Sequence, residues 1–231
     1  MSDAALSVQI AVDPEDVARG LKLDVTFEVP PGVTVLFGPS GAGKSRTLAC
    51  IAGLLRPHRG RVALGNVVWF DAERRESLAI HERRVGYVFQ SLALFPHMTA
   101  AENVAYGIPR GVPAEERRQR ALDMLAKMHV PKLADRKPRT FSGGEAQRVA
   151  LARVFAMKPR AVLLDEPFSA LDAAVKVELL REVGKLLATE RVPSILVTHQ
   201  AEEAEILGER VVFLEKGRVS RTTAMSDAPF R

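Results

Sequence analysis

The sequence lacks the features that mark a secreted or membrane-spanning protein. It has one cysteine, Cys50, which excludes an internal disulfide and fits a reducing compartment. No apolar run approaches the roughly 18–20 residues that a membrane span requires. The opening MSDAALSVQI has neither the basic start nor the apolar core of a signal peptide. We interpret Cys50 as a small core residue on a helix, with a reactive thiol as the alternative.

Long blocks of one charge are also missing. Lys and Arg number 33 against 28 Asp and Glu, which gives a formal net charge of +5 at pH 7. The basic residues come in short bursts mixed with acids, such as HERR at 81–84 and EERRQR at 115–120, a pattern typical of solvated helix faces. No basic patch interleaved with aromatic residues is present, so nucleic-acid binding is not predicted. A weak attraction to an anionic membrane surface stays open.

Short apolar runs rich in β-branched residues are present, and they predict strands buried on both faces of a parallel sheet. These runs lie at 33–37, 161–165, 194–198 and 211–215. Helical patterns follow the first run, at 44–55, and the second, at 173–189. The alternation predicts an α/β doubly wound core.

Two further regions differ from this core. Residues 1–30 and 61–70 alternate between apolar and polar and carry a turn signal at Gly65-Asn66, so we expect an antiparallel β portion there. From Ser91 to about Pro159 the pattern is mainly helical, and Pro113 precedes a helix with acids in its first turn. We therefore predict a single domain whose core comprises 1–90 and 159–231, with an inserted helical subdomain at 91–158.

A phosphate-binding loop follows the first predicted strand. GPSGAGKS matches G-x-x-x-x-G-K-[ST] in full, and it stands between a strand and a helix as this motif requires. Its residues are Gly38, Pro39, Ser40, Gly41, Ala42, Gly43, Lys44 and Ser45. The glycines let successive backbone N–H groups face the phosphates, Lys44 would neutralise the β- and γ-phosphates, and the Ser45 hydroxyl would bind Mg²⁺. The alternative is a Gly-rich turn with an exposed lysine and no phosphate-binding function.

Acidic residues for the metal and the water follow the run AVLLD. Asp165 ends this run, where ligands of parallel sheets bind, and suits a Mg²⁺-holding role. Glu166 would then be a base for the attacking water. The alternative is an acidic pair that merely ends a strand.

Three polar residues stand where predicted strands or helices begin or end. Gln90 follows VGYVF, His199 follows SILVT, and Asp172 in SALDA is placed to cap the following helix. If such positions are buried they must find partners, which favours a shared site. Taken singly, each is more often an ordinary turn or surface residue.

A second anion-binding feature lies in FSGGEAQRVALAR. A helix that starts with Ser142, Gly143 and Gly144 presents unpaired N–H groups and a partial positive charge at its N-terminus. These elements, in this order, resemble the ATPase subunit of ATP-binding cassette (ABC) transporters. The resemblance extends from the phosphate loop through Gln90, FSGGE, LLDEP, SALD and His199 to VVFLEKGRV.

The resemblance implies a P-loop NTPase (RecA-like) fold and a role for each matching residue. Gln90 would reach Mg²⁺ and the water, Glu166 would be the catalytic base, and His199 would contact the γ-phosphate. Asp172 would belong to a loop that passes information between two ATPase sites. Arg46, beside the loop where threonine is usual, is counted with the nucleotide-binding positions, and Phe141 replaces a usual leucine.

The resemblance also implies partners. Two such subunits dimerise head to tail, so that Ser142–Gly144 of one copy closes over ATP held by the other. Leu94, Phe95, Pro96 and His97 would lie near the contact with a membrane permease, with core packing as the alternative for Leu94 and Phe95. A periplasmic or extracellular binding protein would take part indirectly, and the subunit would sit peripherally on the cytoplasmic face of the membrane.

The sequence around RRVGYVFQ most resembles the ATPase subunits of importers for molybdate, sulfate and related oxyanions, with importers of other small solutes as alternatives. VDPEDVARG lacks the aromatic residue that many relatives stack on adenine. The resemblance implies that such importer subunits commonly continue into a small C-terminal regulatory β-domain. The sequence ends soon after Val219, so we expect no such domain here, with a shortened sequence as the alternative. Two other functions stay open: a soluble cassette ATPase acting on nucleic acid or ribosomes, and a small-molecule phosphoryl-transfer enzyme.

Overall fold

The computed structural model describes residues 4–13 and 22–228. The chain divides into two compact units. The first contains Met1–Val85, Arg160–Asp165 and Arg191–Arg231, and the second contains Gly86–Pro159 and Glu166–Glu190. The subdomain boundaries expected from the sequence stay a prediction.

The described residues form strands and α-helices in the following order. The strands are β1 (Leu6–Val12), β2 (Leu23–Val29), β3 (Gly32–Phe37), β4 (Arg59–Leu64), β5 (Val67–Asp71), β6 (Glu76–Ser77), β7 (Val85–Val88), β8 (Ala161–Asp165), β9 (Pro193–Val197), β10 (Arg210–Glu215) and β11 (Arg218–Ala224). The helices are α1 (Lys44–Ala52), α2 (Ile80–Arg83), α3 (Ala100–Tyr106), α4 (Ala114–Lys127), α5 (Gly143–Ala156), α6 (Ala173–Glu190) and α7 (Ala201–Leu207).

The first unit is built on a mixed sheet. Its strands lie in the order β6-β5-β4-β1-β2-β11-β10-β3-β9-β8. Strands β10, β3, β9 and β8 pair in parallel, whereas β6, β5, β4, β1 and β2 pair antiparallel. The predicted parallel core and antiparallel portion are both confirmed. The Gly65-Asn66 turn joins β4 to β5, as expected.

Burial follows the hydrophobic pattern that predicted each strand. Strands β8 and β9 are buried at every position, because a parallel strand is covered on both faces. Strand β2 alternates buried and exposed residues, as a strand with one solvated face should. Trp69 in the antiparallel portion is fully buried.

Helix α1 is shorter than predicted. The pattern indicated a helix to Leu55, but α1 ends at Ala52 because Gly53 adopts the left-handed conformation (φ +86°) and closes the helix. The Gly53 N–H bonds to the carbonyls of Ala49 and Cys50, as in other helix ends closed by glycine. Cys50 on this helix is fully buried, and burial raises the pKa of its thiol to about 12. Its interpretation as a core residue is confirmed.

The second unit is mainly helical. Helices α3, α4 and α5 pack against one another, and α6 follows the segment that starts at Glu166. Helix α4 begins directly after Pro113 and has Glu115 and Glu116 in its first turn, as the sequence predicted. None of the helices within 4–13 and 22–228 combines the length and the apolar character needed to span a bilayer.

Candidate functional site

In the first unit, the predicted nucleotide-binding elements end at one edge of the parallel strands. Asp165 pairs with Val197 across β8 and β9, and Val197 pairs with Leu36 across β9 and β3. The phosphate loop begins two residues after Leu36, and His199 follows Val197 by two residues. The register therefore brings Asp165, His199 and the loop to the same carboxyl edge, the usual ligand site of such sheets.

The loop itself has a backbone that favours glycine. Gly41 and Gly43 have φ values of +79° and +104°, the left-handed region that side chains rarely adopt. The Lys44 ammonium folds back over the loop and donates to the carbonyls of Gly38 (2.7 Å) and Pro39 (2.9 Å). A Cβ on Gly41 would meet no atom within 4 Å, so the space beside it is open. The predicted loop thus curls around the Lys44 cation with free room outside.

The turn between β10 and β11 braces this loop, a feature that the sequence reading missed. The Gly217 N–H donates to the Ala42 carbonyl (3.0 Å), and the Gly217 carbonyl accepts from the Asp24 N–H (2.7 Å). Gly217 has φ +77°, and a Cβ there would lie 1.9 Å from the Lys22 carbonyl oxygen. Only glycine fits this contact without moving the backbone.

The oxygen donors at the edge fit a magnesium ion. Ser45 is exposed in the first turn of α1, the helix that contacts β8, and Asp165 ends β8 with 4% of its surface exposed. Mg²⁺ is commonly held by one or two protein oxygens together with substrate phosphates and waters. No cluster of three His, Cys, Asp or Glu occurs among the described residues, and this ligand set needs none. A hydroxyl and a carboxylate at a phosphate loop suffice.

His199 stands on a turn that a buried pair stabilises. It is exposed, whereas Thr198 beside it is 1% exposed and donates to Glu203 Oε2 at 2.5 Å. The Thr198 hydroxyl oxygen also accepts from the Gln200 N–H (3.1 Å). These bonds hold the backbone on either side of His199. Sequence reasoning missed Thr198 and Glu203.

In the second unit, Glu166 has an unusual backbone. Its φ is +50°, a left-handed conformation that costs a residue other than glycine about 1–3 kcal/mol. Its carbonyl accepts from the Ser169 hydroxyl (3.1 Å), the Ser169 N–H (3.3 Å) and the Gln147 amide (3.2 Å). Such strain persists where the surroundings hold it, and it is frequent at functional sites.

Helix α5 starts after Ser142, as the sequence predicted, and a capping box that was not predicted holds its first turn. The Ser142 hydroxyl accepts from the Glu145 N–H (3.2 Å), and the Glu145 carboxylate accepts from the Ser142 N–H (2.7 Å). The bond from the Ser142 N–H holds the pKa of Glu145 below its usual value. Ser142 and Gly143 are exposed, so the N-terminus of α5 is accessible to an anion.

Gln90, Asp172 and His199 are all exposed, so burial gives no argument for a shared site, and their predicted roles stay predictions. Each lies outside a strand or helix, where its side chain remains in contact with solvent. Asp172 does cap a helix as predicted, because its carboxylate accepts from the Val175 N–H (3.1 Å) at the start of α6.

The segment predicted to face a permease is held by a buried asparagine. Asn103 is fully buried and exchanges hydrogen bonds with the Phe95 backbone, donating to its carbonyl (3.1 Å) and accepting from its N–H (2.8 Å). The Phe95 ring lies 4.5 Å from the ring of Tyr106, which is 60% exposed. A cavity of about 430 Å³ opens beside them. His97, Met98 and Tyr106 line it, with Ala101, Ala105 and Arg117.

Two sequence predictions about nucleotide binding stay predictions. The stretch VDPEDVARG lacks an aromatic residue to stack on adenine, and its residues 14–20 lie outside the described part of the chain. Arg46 lies in the first turn of α1, and no described contact assigns it to a nucleotide.

Gln147 is the most informative residue that the sequence reading missed. It is 2% exposed on α5, on the same buried stripe as Ala150, Leu151 and Val154. A polar residue at helical spacing from three apolar ones was the available signal, because a buried amide must find partners.

Comparison with known proteins agrees with this geometry. A family model described as ABC transporter matches residues 23–169. The molybdenum import ATP-binding protein ModC of Rhizobium meliloti is 43% identical over 213 residues, which cover 90% of this chain and 59% of that protein. The sulfate/thiosulfate import ATP-binding protein CysA of Mesorhizobium japonicum is 42% identical over 210 residues, or 88% of this chain and 59% of that protein.

A solved dimer of the ATP-binding cassette MJ0796, in a post-hydrolysis state bound to ADP and Pi, has the same fold. It matches with a TM-score of 0.82 and 30% identity, over 96% of this chain and 98% of that chain. The predicted fold class is therefore confirmed. This chain spans just under three fifths of the length of the two import relatives. With a family model over most of its length, the chain belongs to the ABC transporter family.

Proposed function

We propose that this chain is the nucleotide-binding subunit of an ABC importer, which hydrolyses ATP with Mg²⁺ in a head-to-tail dimer. The observation that supports this best is the phosphate loop around Lys44, in register with Asp165 at the carboxyl edge of the sheet. A structural Gly-rich turn has no need of a lysine enclosed by its own loop beside an acidic strand end.

Phosphate binding would use the loop's backbone N–H groups and Lys44. In the structure the ammonium is bonded to the Gly38 and Pro39 carbonyls, so its charge is already centred on the loop. When ATP binds, Lys44 would donate to the β- and γ-phosphates, and the loop amides would enclose them. Little reorganisation is needed, which is the basis of electrostatic preorganisation.

Mg²⁺ would be held by Ser45 and Asp165, with Gln90 reaching it when the site is complete. Bound there, the ion supplies neutralisation of charge on the β- and γ-phosphate oxygens. Asp165 is buried, so its carboxylate gains more from a nearby cation than an exposed acid would.

Hydrolysis requires a positioned water. Glu166, the residue after Asp165, would orient and deprotonate the water for in-line attack, and His199 would contact the γ-phosphate. The strained Glu166 backbone and the Thr198–Glu203 bond beside His199 both support fixed positions for these side chains.

The exposed N-terminus of α5 would complete the site of a second copy. Ser142, Gly143 and Gly144 would bind the γ-phosphate of ATP held by the partner's loop, through N–H groups and the helix dipole. Asp172 would connect the two sites. ATP would then join the subunits, and its hydrolysis would release them, a ligand-driven switch.

A permease would bind the second unit at the cavity beside Tyr106. An aromatic side chain 60% exposed beside a largely apolar cavity, whose charged lining residues are Glu102, Arg117 and Arg118, is the kind of surface that takes a short helix from a partner. His97 lines this cavity, and Phe95, which contacts Tyr106, is held by Asn103. The subunit would thus lie on the cytoplasmic face of the membrane, and the binding protein would act through the permease.

The cargo would be molybdate or a related oxyanion, since the relatives named above carry molybdenum and sulfate import in their names. A different small solute is the alternative within the same mechanism. Co-purification with a multi-span membrane protein would support the import role, whereas co-purification with ribosomes or nucleic acid would contradict it.

The test of the ATPase mechanism is Glu166→Gln. This variant should bind ATP normally, lose most hydrolysis, and form an ATP-dependent dimer visible by size-exclusion chromatography. Glu76→Gln makes the same charge change on the exposed strand β6 and should hydrolyse ATP like the unmodified chain. A Glu166→Gln chain that stays monomeric at high protein and ATP concentration would contradict the dimer, and unchanged hydrolysis would contradict the base.

A further inference from the structure

The side chain of Gln147 joins helix α5 to the segment that carries Glu166. Its Nε2 donates to the Glu166 carbonyl (3.2 Å), and its Oε1 accepts from the Ala170 N–H (3.0 Å). The carbonyl partner takes the amide nitrogen and the N–H partner takes the amide oxygen, so the orientation of the amide is determined. Gln147 itself is 2% exposed and both hydrogen bonds are partly buried, which strengthens them electrostatically relative to bonds in open water.

These bonds act on a strained peptide. Glu166 has φ +50° and is followed by Pro167, whose ring fixes its own φ. The position of the Glu166 carbonyl determines the ψ angle of Glu166 and so the direction in which its side chain leaves the backbone. Gln147 and Ser169 hold that carbonyl from two sides. Loss of either donor would let the peptide rotate toward an unstrained conformation.

The first turn of α5 is also packed directly against the same segment. A Cβ added to Gly144 would lie 3.3 Å from the Ala170 carbonyl oxygen and 3.2 Å from a Leu171 methyl carbon. A Cβ on Gly143 would lie 3.5 Å from the Ala170 side chain. The contact at Gly143 is ordinary, whereas Gly144 lets the start of α5 approach this segment closely, one turn away from Gln147.

We propose that Gln147 is a positioning residue that links the Ser142 end of α5 to the carboxylate of Glu166. This inference rests on the proposed ATPase function. When Ser142–Gly144 bind a phosphate held by the partner subunit, α5 and the Glu166–Leu171 segment shift as one body. Gln147 then transmits this shift to the chain's own Glu166, so hydrolysis in one site depends on nucleotide in the other.

A purely structural role for Gln147 makes different predictions. A buried amide that only fills space would affect stability when replaced, and the turnover number would follow the loss of folded protein. A positioning role lowers kcat with little change in KM, because the loss falls on the geometry of the water and not on ATP binding.

The experiment compares Gln147→Met with Val149→Ala. Methionine has a similar length and cannot replace either hydrogen bond, whereas Val149→Ala leaves a small cavity on the same helix at a fully buried position. Gln147→Met should lower kcat by about ten- to a hundredfold with KM changed less than about twofold. Val149→Ala should lose similar thermal stability and keep kcat.

A double-mutant cycle with Glu166→Gln separates the two roles further. Residues that act on the same step are not additive, so Gln147→Met should cause little further loss of single-turnover hydrolysis in the Glu166→Gln chain. Losses that multiply would overturn the inference.

Gln147→Glu supplies a second readout. A charged glutamate cannot donate to the Glu166 carbonyl, whereas a protonated one has an O–H donor and still accepts from the Ala170 N–H. Burial raises the pKa of a carboxyl group above its ordinary value of about 4.3, so the ratio of the Gln147→Glu kcat to that of the unmodified chain should rise as the pH falls from 8 to 6. A ratio independent of pH would contradict the proposed hydrogen bond.

The failure of this inference can be distinguished from the failure of the proposed function. If the unmodified chain does not hydrolyse ATP, both the proposed function and this inference are wrong. Normal hydrolysis by both the unmodified chain and Gln147→Met would overturn this inference alone.

Discussion

Replacement of the buried Arg83 should destabilise the first unit. Arg83 is 2% exposed, and its guanidinium closes the C-terminal end of α1. It donates to the carbonyls of Ile51 (2.7 Å), Cys50 (3.3 Å) and Leu78 (3.2 Å). A cation at this end of a helix also interacts favourably with the negative end of the helix dipole. Burial lowers the pKa of the guanidinium, which remains charged at neutral pH.

The magnitude follows from the acceptors. Cys50 keeps a bond from the Gly53 N–H, so Arg83→Met mainly deprives the carbonyls of Ile51 and Leu78. A deprived buried carbonyl costs about 1–3 kcal/mol, which applies in full to Ile51 and in part to the partly buried Leu78, and the relief of burying one fewer charge offsets some of the total. We expect a loss of about 2–4 kcal/mol in the free energy of unfolding, or roughly 5–15 °C in Tm for a chain of this size.

The assay is urea and thermal unfolding followed by circular dichroism. Arg56→Met is the matched control, because Arg56 lies near the same helix end and is exposed. This control should change stability by less than about 0.5 kcal/mol. Arg83→Lys, which keeps the charge but not the forked donors, should fall between the two. Equal stability of Arg83→Met and Arg56→Met would refute the capping argument.

Two further predictions concern the same unit. Gly217→Ala should destabilise the chain by about 1–3 kcal/mol or more and weaken ATP binding, because the new Cβ would lie 1.9 Å from the Lys22 carbonyl oxygen and displace the hydrogen bond to Ala42. Gly111→Ala is the control, since a Cβ there meets no atom within 4 Å. Equal unfolding midpoints of the two variants would contradict the predicted clash. The folded chain holds the Cys50 thiol proton up to a pKa of about 12, whereas the unfolded chain releases it near pH 8.5. The stability linked to this proton is therefore fully present below about pH 8.5 and is lost as the pH rises toward about 12. Urea unfolding between about pH 8 and 10 should show a flatter decline for Cys50→Ala than for the unmodified chain, and parallel declines would contradict this.

The sequence predicted the parts of the site that are continuous in the chain. The phosphate loop, the acidic pair after β8 and the start of α5 each carry their chemistry within a few residues, so spacing was enough to find them. The strands were found because a buried parallel strand leaves an uninterrupted apolar run. The end of α1 was misplaced although Gly53 marked it, because the apolar pattern continued to Leu55.

Contacts between distant segments could not be predicted in this way. Gly217 and Ala42 are separated by most of the chain, and only the order of β11, β10 and β3 in the sheet brings them together. The pairing of Gln147 with Glu166 likewise depends on how α5 packs in its unit. A single sequence shows that Gln147 is a polar residue on an apolar stripe, but it does not identify the partner.

Helix α5 makes the motifs of the second unit interdependent. Its first turn presents Ser142, and its far end presents Arg153, which donates to the carbonyls of Leu92 (2.9 Å) and Ala93 (2.7 Å). Both of these residues have left-handed backbones, with φ of +60° and +45°, so their conformation depends on such bonds. Eleven residues of helix separate the two ends, a distance of about 16 Å.

An α-helix of this length is stiff along its axis, because every turn is closed by backbone hydrogen bonds. A displacement at the Ser142 end therefore reaches Gln147 and Arg153 with little loss. Helix α5 thus joins the segment of Leu92 and Ala93 and the segment of Glu166 into one hydrogen-bonded body. Substitutions at Gln147 and Arg153 should then be non-additive in their effect on hydrolysis, although no described bond joins these two side chains.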